Sequence, residues 1–143
     1  MRLAIGSDHG GYELKEKIKH LLEELGISYK DFGTNSEESV DYPDFAEEVA
    51  KGIADKDYEL GILICGTGIG MSIAANKIDG VRAALCHDLF SAQATREHNN
   101  SNVLTIGARV IGDQLALEIV KTWLKSDFDG GRHQRRIDKI AKL

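Results

Sequence analysis

Several features that mark specialised protein classes are scarce or missing in this sequence of 143 residues. No apolar run approaches the ~18 residues of a membrane-spanning helix, and the first residues lack a secretory signal pattern. Two cysteines, Cys65 and Cys86, make no disulfide framework, so we expect a cytoplasmic protein. The net charge of −5 argues against nonspecific nucleic-acid binding. These absences predict a globular protein with neither a membrane nor a nucleic acid as its partner.

What the sequence does contain is a regular alternation of short apolar runs and amphipathic stretches. Five strands alternating with helices predict an α/β fold, a three-layer Rossmann-like sandwich around a five-stranded parallel sheet. We expect the strand order 2-1-3-4-5 and a single domain over residues 1–143. The predicted strands are MRLAIGSD, ISYKDFG, ELGILIC, VRAALC and NVLTIG, and the predicted helices cover GYELKEKIKHLLEELG, residues 44–55, a segment from Gly70, residues 88–97 and residues 113–125.

The segment CGTGIG, residues 65–70, has the most distinctive composition. Its glycines allow backbone N–H groups to point at one anion, and a following helix adds its positive end. Beside such a cradle the thiolate of Cys65 is favoured, which makes it a candidate base, and the hydroxyl of Thr67 can face the same ligand. A tight packing turn and a buried structural thiol are the alternatives. Met71 replaces the third glycine of a dinucleotide motif, so a nucleotide cofactor is not predicted.

Two further sets of polar residues follow strand 1 and precede strand 5. Asp8 and His9 should lie beside the cysteine loop, because parallel strands bring their carboxyl ends to one edge. Asp8 could instead cap the next helix, and His98 could cap the helix that it ends. The run Cys86-His87-Asp88 lacks the spacing of metal ligands, and we predict no metal site there.

The charge is unevenly distributed along the chain. Residues 130–142 carry five cations and one acid, a charge of +4, which leaves −9 for the other residues. A basic tail on an acidic body predicts an anion as its partner, from a ligand, a second subunit or a nucleic acid. Arg132 and Arg136 have helical spacing and suit a phosphate, which Arg109 could also bind, although solvated surface charge is the alternative.

With these residues in view, the sequence closely resembles the ribose-5-phosphate isomerase B family, which includes galactose-6-phosphate isomerase subunits. The matching stretches span nearly the whole chain: IGSDHGGYELK, VDYPDFA, CGTGIGMSIAANK, HDLFSAQATREHNNSNVLTIGARVIG and GGRHQRRIDKI. The resemblance implies an enzyme with no cofactor that interconverts ribose 5-phosphate and ribulose 5-phosphate through an enediolate. It also implies a homodimer with shared active sites, which can pair into a tetramer, and a tail (about 127–143) that packs on the partner.

The resemblance also implies a role for each matching residue. Cys65 is the catalytic base, Thr67 assists proton movement, and His98 helps to open the sugar ring. Ser101 stands where alanine is common, and we expect no change of activity from it. The substrate-binding positions are Asp8, His9, Tyr42, Gly66, Gly68, Ile69, Gly70, Asn99, Arg109, Arg132 and Arg136.

Other functions compete with this one. An isomerase of a six-carbon sugar phosphate, such as allose or galactose 6-phosphate, would use the same residues. A noncatalytic sugar-phosphate sensor would need the cradle and the arginines but not Cys65. A thiol redox protein would need a second cysteine near Cys65, and Cys86 is too far along the chain to suggest one.

Overall fold

The computed structural model describes residues 1–143 as five strands that alternate with helices. The strands are β1 (Arg2–Ser7), β2 (Ser28–Asp31), β3 (Leu60–Cys65), β4 (Ala83–Leu85) and β5 (Val103–Gly107). The helices are α1 (Tyr12–Glu24), α2 (Tyr42–Ala54), α3 (Ile69–Ala75), α4 (Leu89–Asn99), α5 (Asp113–Lys125) and α6 (Arg132–Ala141). A short 3-10 turn, His9–Gly11, precedes α1. None of these helices has the length and apolar character that crossing a membrane requires.

All neighbouring strands of the sheet are parallel, as predicted, but their order is β2-β1-β3-β5-β4. The predicted α/β class is confirmed, whereas the predicted order 2-1-3-4-5 is wrong in its last two strands. Every residue of β5 is buried, while β4 has only three residues and none of them is buried. The longer strand takes the interior position, where a parallel strand is covered on both faces.

The open edge of β4 is covered by a side chain. The Asn76 amide nitrogen donates to the Ala83 carbonyl at 3.0 Å, and its oxygen accepts from the Ala83 N–H at 2.8 Å. These two bonds satisfy main-chain groups that would otherwise be free to pair with another strand. A short strand can thus form the edge of the sheet.

Two apolar layers pack against the two faces of the sheet. One face is covered by α1 and α5, with side chains such as Ile18 and Trp123 fully buried against Ile5 and Ile62. The other face is covered by α2 and α3, where Val49 and Met71 pack near Leu63. In α1 the predicted apolar stripe is buried except for Leu25, which lies just past the end of the helix, before Gly26 at φ +70°.

The C-terminal tail contains a helix, α6, that the sequence pattern did not predict. Its only buried residue is Ile137, which lies with Ile140 and Ala141 on one short apolar side of an otherwise mostly polar helix. This helix packs against α4 of the same chain. The tail is therefore tied to its own subunit.

Candidate functional site

The turn after β3 brings a thiol and several main-chain N–H groups together. Cys65 ends β3 and is 4% exposed, and its Sγ accepts a hydrogen bond from the Gly68 N–H at 3.1 Å. Gly68 has φ +75°, and a Cβ there would lie 2.8 Å from the Ile106 carbonyl carbon. Only glycine fits this left-handed turn against β5. The N–H that reaches the sulfur stabilises negative charge on it, as a base in thiolate form requires.

Thr67 lies in the same turn with its side chain exposed. Its Oγ1 accepts a hydrogen bond from the Ile69 N–H at 3.2 Å, a local bond within the turn. That bond uses a lone pair of the hydroxyl oxygen, and the hydroxyl proton stays free for a ligand. Thr67 can therefore donate to a bound oxygen without losing its local bond.

Asp8 and His9 lie at the end of β1, on the same edge of the sheet. Oδ1 of the buried Asp8 accepts from the Gly11 N–H at 3.1 Å, which makes it the cap of the 3-10 turn. Nδ1 of His9 accepts from the Val40 N–H at 3.2 Å. In a neutral imidazole the other nitrogen then carries the proton, so His9 presents an Nε2–H donor.

The side chains of Arg109 and Tyr42 also lie at the carboxyl edge, where each packs closely against glycine. A Cβ on Gly66 would lie 3.4 Å from Nη1 of Arg109, and one on Gly10 would lie 3.6 Å from Nη2. The guanidinium thus sits between the turns that follow β1 and β3. A Cβ on Gly70 would lie 2.5 Å from the Tyr42 ring, so the tyrosine approaches the cysteine loop only because Gly70 has no side chain.

The remaining predicted site residues lie at the opposite, amino edge of the sheet, where the strands begin: His98, Asn99, Arg132 and Arg136. Helix α4 runs back to that edge, and Arg82, just before β4, donates from Nε to the Asn100 carbonyl at 2.8 Å. His98 and Asn99 are thus at the amino edge. The His98 and His133 rings stack there with centroids 4.5 Å apart, next to Arg132 at the start of α6. Arg136 follows one turn later and is exposed.

The length of the strands separates the two groups of residues within one chain. Cys65 pairs with Gly107 at one end of β5, and Gly61 pairs with Val103 at the other. Four residues of strand span about 13 Å. One subunit therefore brings Asp8, His9, Tyr42, the cysteine loop and Arg109 together but does not bring His98, Asn99, Arg132 or Arg136 to Cys65.

The two cysteines have different surroundings. Burial, and secondarily the charge of Asp88, raises the pKa of Cys86 to about 11, so this thiol stays protonated at neutral pH. It also packs in the apolar layer with α1 and α5, away from the cysteine loop. Cys86 is thus a structural thiol.

Sequence reasoning assigned no role to two residues beside His98. The ligand atoms of His133 and Asp129 lie within 4.8 Å of those of the His98 ring. The only signal in the sequence was the turn Asp129-Gly130-Gly131, whose glycines have φ +69° and +57°. The contact itself depends on the unpredicted packing of α6 on α4.

Comparisons with known proteins agree with this architecture over nearly the whole chain. The profile of the Ribose/Galactose Isomerase family matches residues 3–140. Ribose-5-P isomerase B of Listeria innocua is 50% identical over 100% of this chain and 97% of its own length. D-erythrulose-4-phosphate isomerase of Pectobacterium atrosepticum is 45% identical, over 99% of this chain and 93% of its own.

Solved structures are equally similar. Ribose-5-Phosphate Isomerase B of Clostridium thermocellum superposes with a TM-score of 0.98 at 53% identity, covering 99% of this chain and 96% of that one. The Mycoplasma genitalium Ribose-5-phosphate Isomerase B with bound Ribulose-5-phosphate has a TM-score of 0.94 at 45% identity, covering 99% and 94%. With the profile match over residues 3–140, these likenesses show that the chain is an isomerase and belongs to the ribose/galactose isomerase family.

Proposed function

We propose that this protein interconverts ribose 5-phosphate and ribulose 5-phosphate, with Cys65 as the base. The observation that carries the proposal is the hydrogen bond from the Gly68 N–H to the Cys65 sulfur, inside a glycine turn made of N–H donors. Moving a carbonyl between C1 and C2 needs a base beside a hole for an oxyanion. Ribose-5-phosphate isomerase B is also the name of several relatives of this chain, including the Mycoplasma genitalium protein with bound ribulose 5-phosphate.

The proposed proton transfer runs between two adjacent carbons. The Cys65 thiolate removes the C2 proton of the open-chain aldose, and the C2–H electron pair forms the C1–C2 double bond of an enediolate. Its oxygen charge is stabilised by the N–H groups of residues 66–70 other than those of Gly68 and Ile69, which donate to Cys65 and Thr67. The thiol then returns a proton to C1, while the Thr67 hydroxyl moves a proton between the two oxygens. The electrons stay within the sugar, so this step uses no external oxidant or reductant.

Binding of the phosphate and opening of the sugar ring use groups from both edges of the sheet. His9, through its Nε2–H, and the Arg109 guanidinium would bind the phosphate from the carboxyl edge. Arg132 and Arg136 would bind it from the amino edge, where His98 would open the furanose ring and Asn99 would hold the sugar. Asp8 and Tyr42 would contact the ring oxygens.

This assignment requires a homodimer, because one chain holds the two sets at opposite edges of its sheet. Exposed apolar side chains around the cysteine loop support a second copy there: Ile73 is 64% exposed, Phe90 is 81% exposed, and Ile69 and Val110 are also exposed. Large apolar side chains clustered on a surface are typical of subunit contacts. Two such dimers can pair further.

The test is an isomerisation assay with four-, five- and six-carbon aldose phosphates. We expect the highest kcat/KM for ribose 5-phosphate. A four-carbon substrate belongs in the panel because a relative at 45% identity is named D-erythrulose-4-phosphate isomerase. A higher kcat/KM for allose or galactose 6-phosphate would refute ribose 5-phosphate as the preferred substrate, while the proposed aldose–ketose isomerisation would stand. Tight binding of these sugar phosphates without turnover would instead identify a sensor.

A further inference from the structure

Three potential metal ligands meet where α4 ends and α6 begins. The ligand atoms of His98, Asp129 and His133 all lie within 4.8 Å of one another. Two imidazoles and one carboxylate form a ligand set typical of zinc sites that keep a fourth position open. We propose that this cluster, here called the His–Asp–His cluster, binds one Zn²⁺ ion per chain as an inhibitory site.

The backbone around the cluster is held by main-chain hydrogen bonds. The Asp129 N–H donates to the Glu97 carbonyl at 3.0 Å, which ties the turn to the last turn of α4. The His133 N–H donates to the Gly130 carbonyl at 3.1 Å. Gly130 and Gly131 both have positive φ, which lets the chain reverse direction between the carboxylate and the ring. These bonds hold the backbone of the turn against the end of α4 before an ion binds.

Only the side chains have to move for coordination. In a tetrahedral site with bonds of roughly 2.0–2.1 Å, neighbouring ligand atoms are roughly 3.3 Å apart. The stacked rings of His98 and His133 lie 17° from parallel, so one of them must tilt toward the other. His98 and Asp129 are exposed and His133 is partly exposed, so rotamer changes meet little packing resistance.

The surrounding charges lower the affinity. The guanidiniums of Arg132 and Arg136 at the start of α6 repel a cation, so we expect weaker binding than at a structural zinc site with four ligands.

Occupancy would take the His98 nitrogen away from ring opening, and this consequence rests on the proposed function. A cleft that admits a sugar phosphate also admits a hydrated ion, so a partner subunit across the cleft does not close the cluster off. Cys65 lies at the opposite edge of the same chain and is not one of the three ligands. Because the proposed dimer brings the Cys65 thiol of the other subunit to the same site, zinc binding is tested without that thiol.

The direct test is equilibrium dialysis of ZnCl2 against the full-length Cys65→Ala protein, which lacks the thiol of the cysteine loop. Cys86 does not compete, because burial raises its pKa to about 11. We expect one Zn²⁺ per chain. Asp129→Asn and His133→Gln, each in this background, should weaken binding at least about tenfold, since even the loss of a group behind a ligand costs that much. The matched control is His20→Gln, whose side chain is 80% exposed on α1.

Absence of bound zinc, or equal binding by all four proteins, would overturn the site. The Asp129→Asn variant keeps a similar shape at an exposed position, so a loss of binding there is not a loss of folding.

A second measurement separates this proposal from the proposed function. With Cys65 present, the Zn²⁺ concentration that halves each protein's own ribose 5-phosphate turnover should rise about tenfold in Asp129→Asn. Equal inhibition of the two proteins would overturn the inhibitory role. If the chain binds zinc but turns over no ribose 5-phosphate, the metal site stands and the proposed function is refuted. If it turns over ribose 5-phosphate but binds no zinc, the proposed function stands and the metal site is refuted.

Discussion

At the carboxyl edge of the sheet most of the candidate side chains accept hydrogen bonds from main-chain N–H groups, whereas at the amino edge they are exposed side chains on helix ends. Cys65 is buried and bonded to a backbone N–H, while His98 and Arg136 are exposed. The proposed base has to be positioned to a fraction of an ångström, and the glycine turn against β5 restrains it. Cationic side chains that bind a phosphate tolerate more freedom. Neither edge alone has all the groups that the proposed reaction needs.

The largest effect that we predict separates the two thiols. Cys65→Ala should lower kcat at least about a hundredfold with little change in KM, because a general base contributes about 10²–10⁴-fold. Cys86→Ala, the control, should leave kcat almost unchanged, since burial raises the pKa of its thiol to about 11. Steady-state kinetics of both variants measures these changes in kcat. Equal losses of kcat in the two variants would contradict the choice of Cys65 as the base.

Mixing inactive subunits tests whether the two edges meet across a dimer. Cys65→Ala and Arg136→Ala are altered at opposite edges, and each should be nearly inactive alone. After dissociation and reassociation, about half of the dimers should be mixed, each with one intact site, so roughly a quarter of wild-type activity should return. If mass spectrometry detects mixed dimers and no activity returns, each chain uses its own arginines.

The third prediction concerns the glycine that shapes the cysteine loop. Gly68→Ala should lower the free energy of unfolding by about 2 kcal/mol or more, because φ is +75° and the new Cβ would meet the main chain of β5. Gly112→Ala is the matched control, since Gly112 has φ −75° and nothing within 4 Å of the added Cβ. Urea unfolding measures the free energy of unfolding of both variants. Equal losses of stability would mean that the cysteine loop changes its conformation to accommodate the new side chain.

The smallest effect that we predict is a loss of stability at a buried hydrogen bond near the amino edge of the sheet. The indole N–H of the buried Trp123 donates to Oγ of the buried Ser101 at 3.0 Å. Ser101→Ala leaves this donor without a partner and should cost about 1–2 kcal/mol of stability. The exposed Ser39→Ala should change stability by less than about 0.5 kcal/mol. Urea unfolding compares them, and kcat/KM should stay close to wild type in both, as expected from the sequence. Equal stabilities would mean that Trp123 does not depend on Ser101.

Local patterns in the sequence were enough to predict most of the elements. The run LGILIC is apolar at every position and forms the central strand β3, and Asp113–Lys125 is a helix with the predicted ends. The turn from Cys65 to Gly70 was also readable, because a left-handed residue and close backbone approaches select glycine at fixed positions. These features depend on residues near one another in the chain.

The tertiary structure decided those features that depend on contacts between residues far apart in the chain. The exchange of β4 and β5 follows from competition for the interior of the sheet, to which β5 brings five buried residues. Helix α6, which our prediction omits, has a short apolar side at Ile137, Ile140 and Ala141, but its packing on α4 buries only Ile137 and depends on residues far apart in the chain. The separation of His98 from Cys65 follows from the run of α4 back to the amino edge, because a right-handed βαβ crossover must return the chain to the start of the next strand. The sequence by itself thus determined the chemistry that each segment carries, and the three-dimensional path of the chain determined which of those segments share an edge.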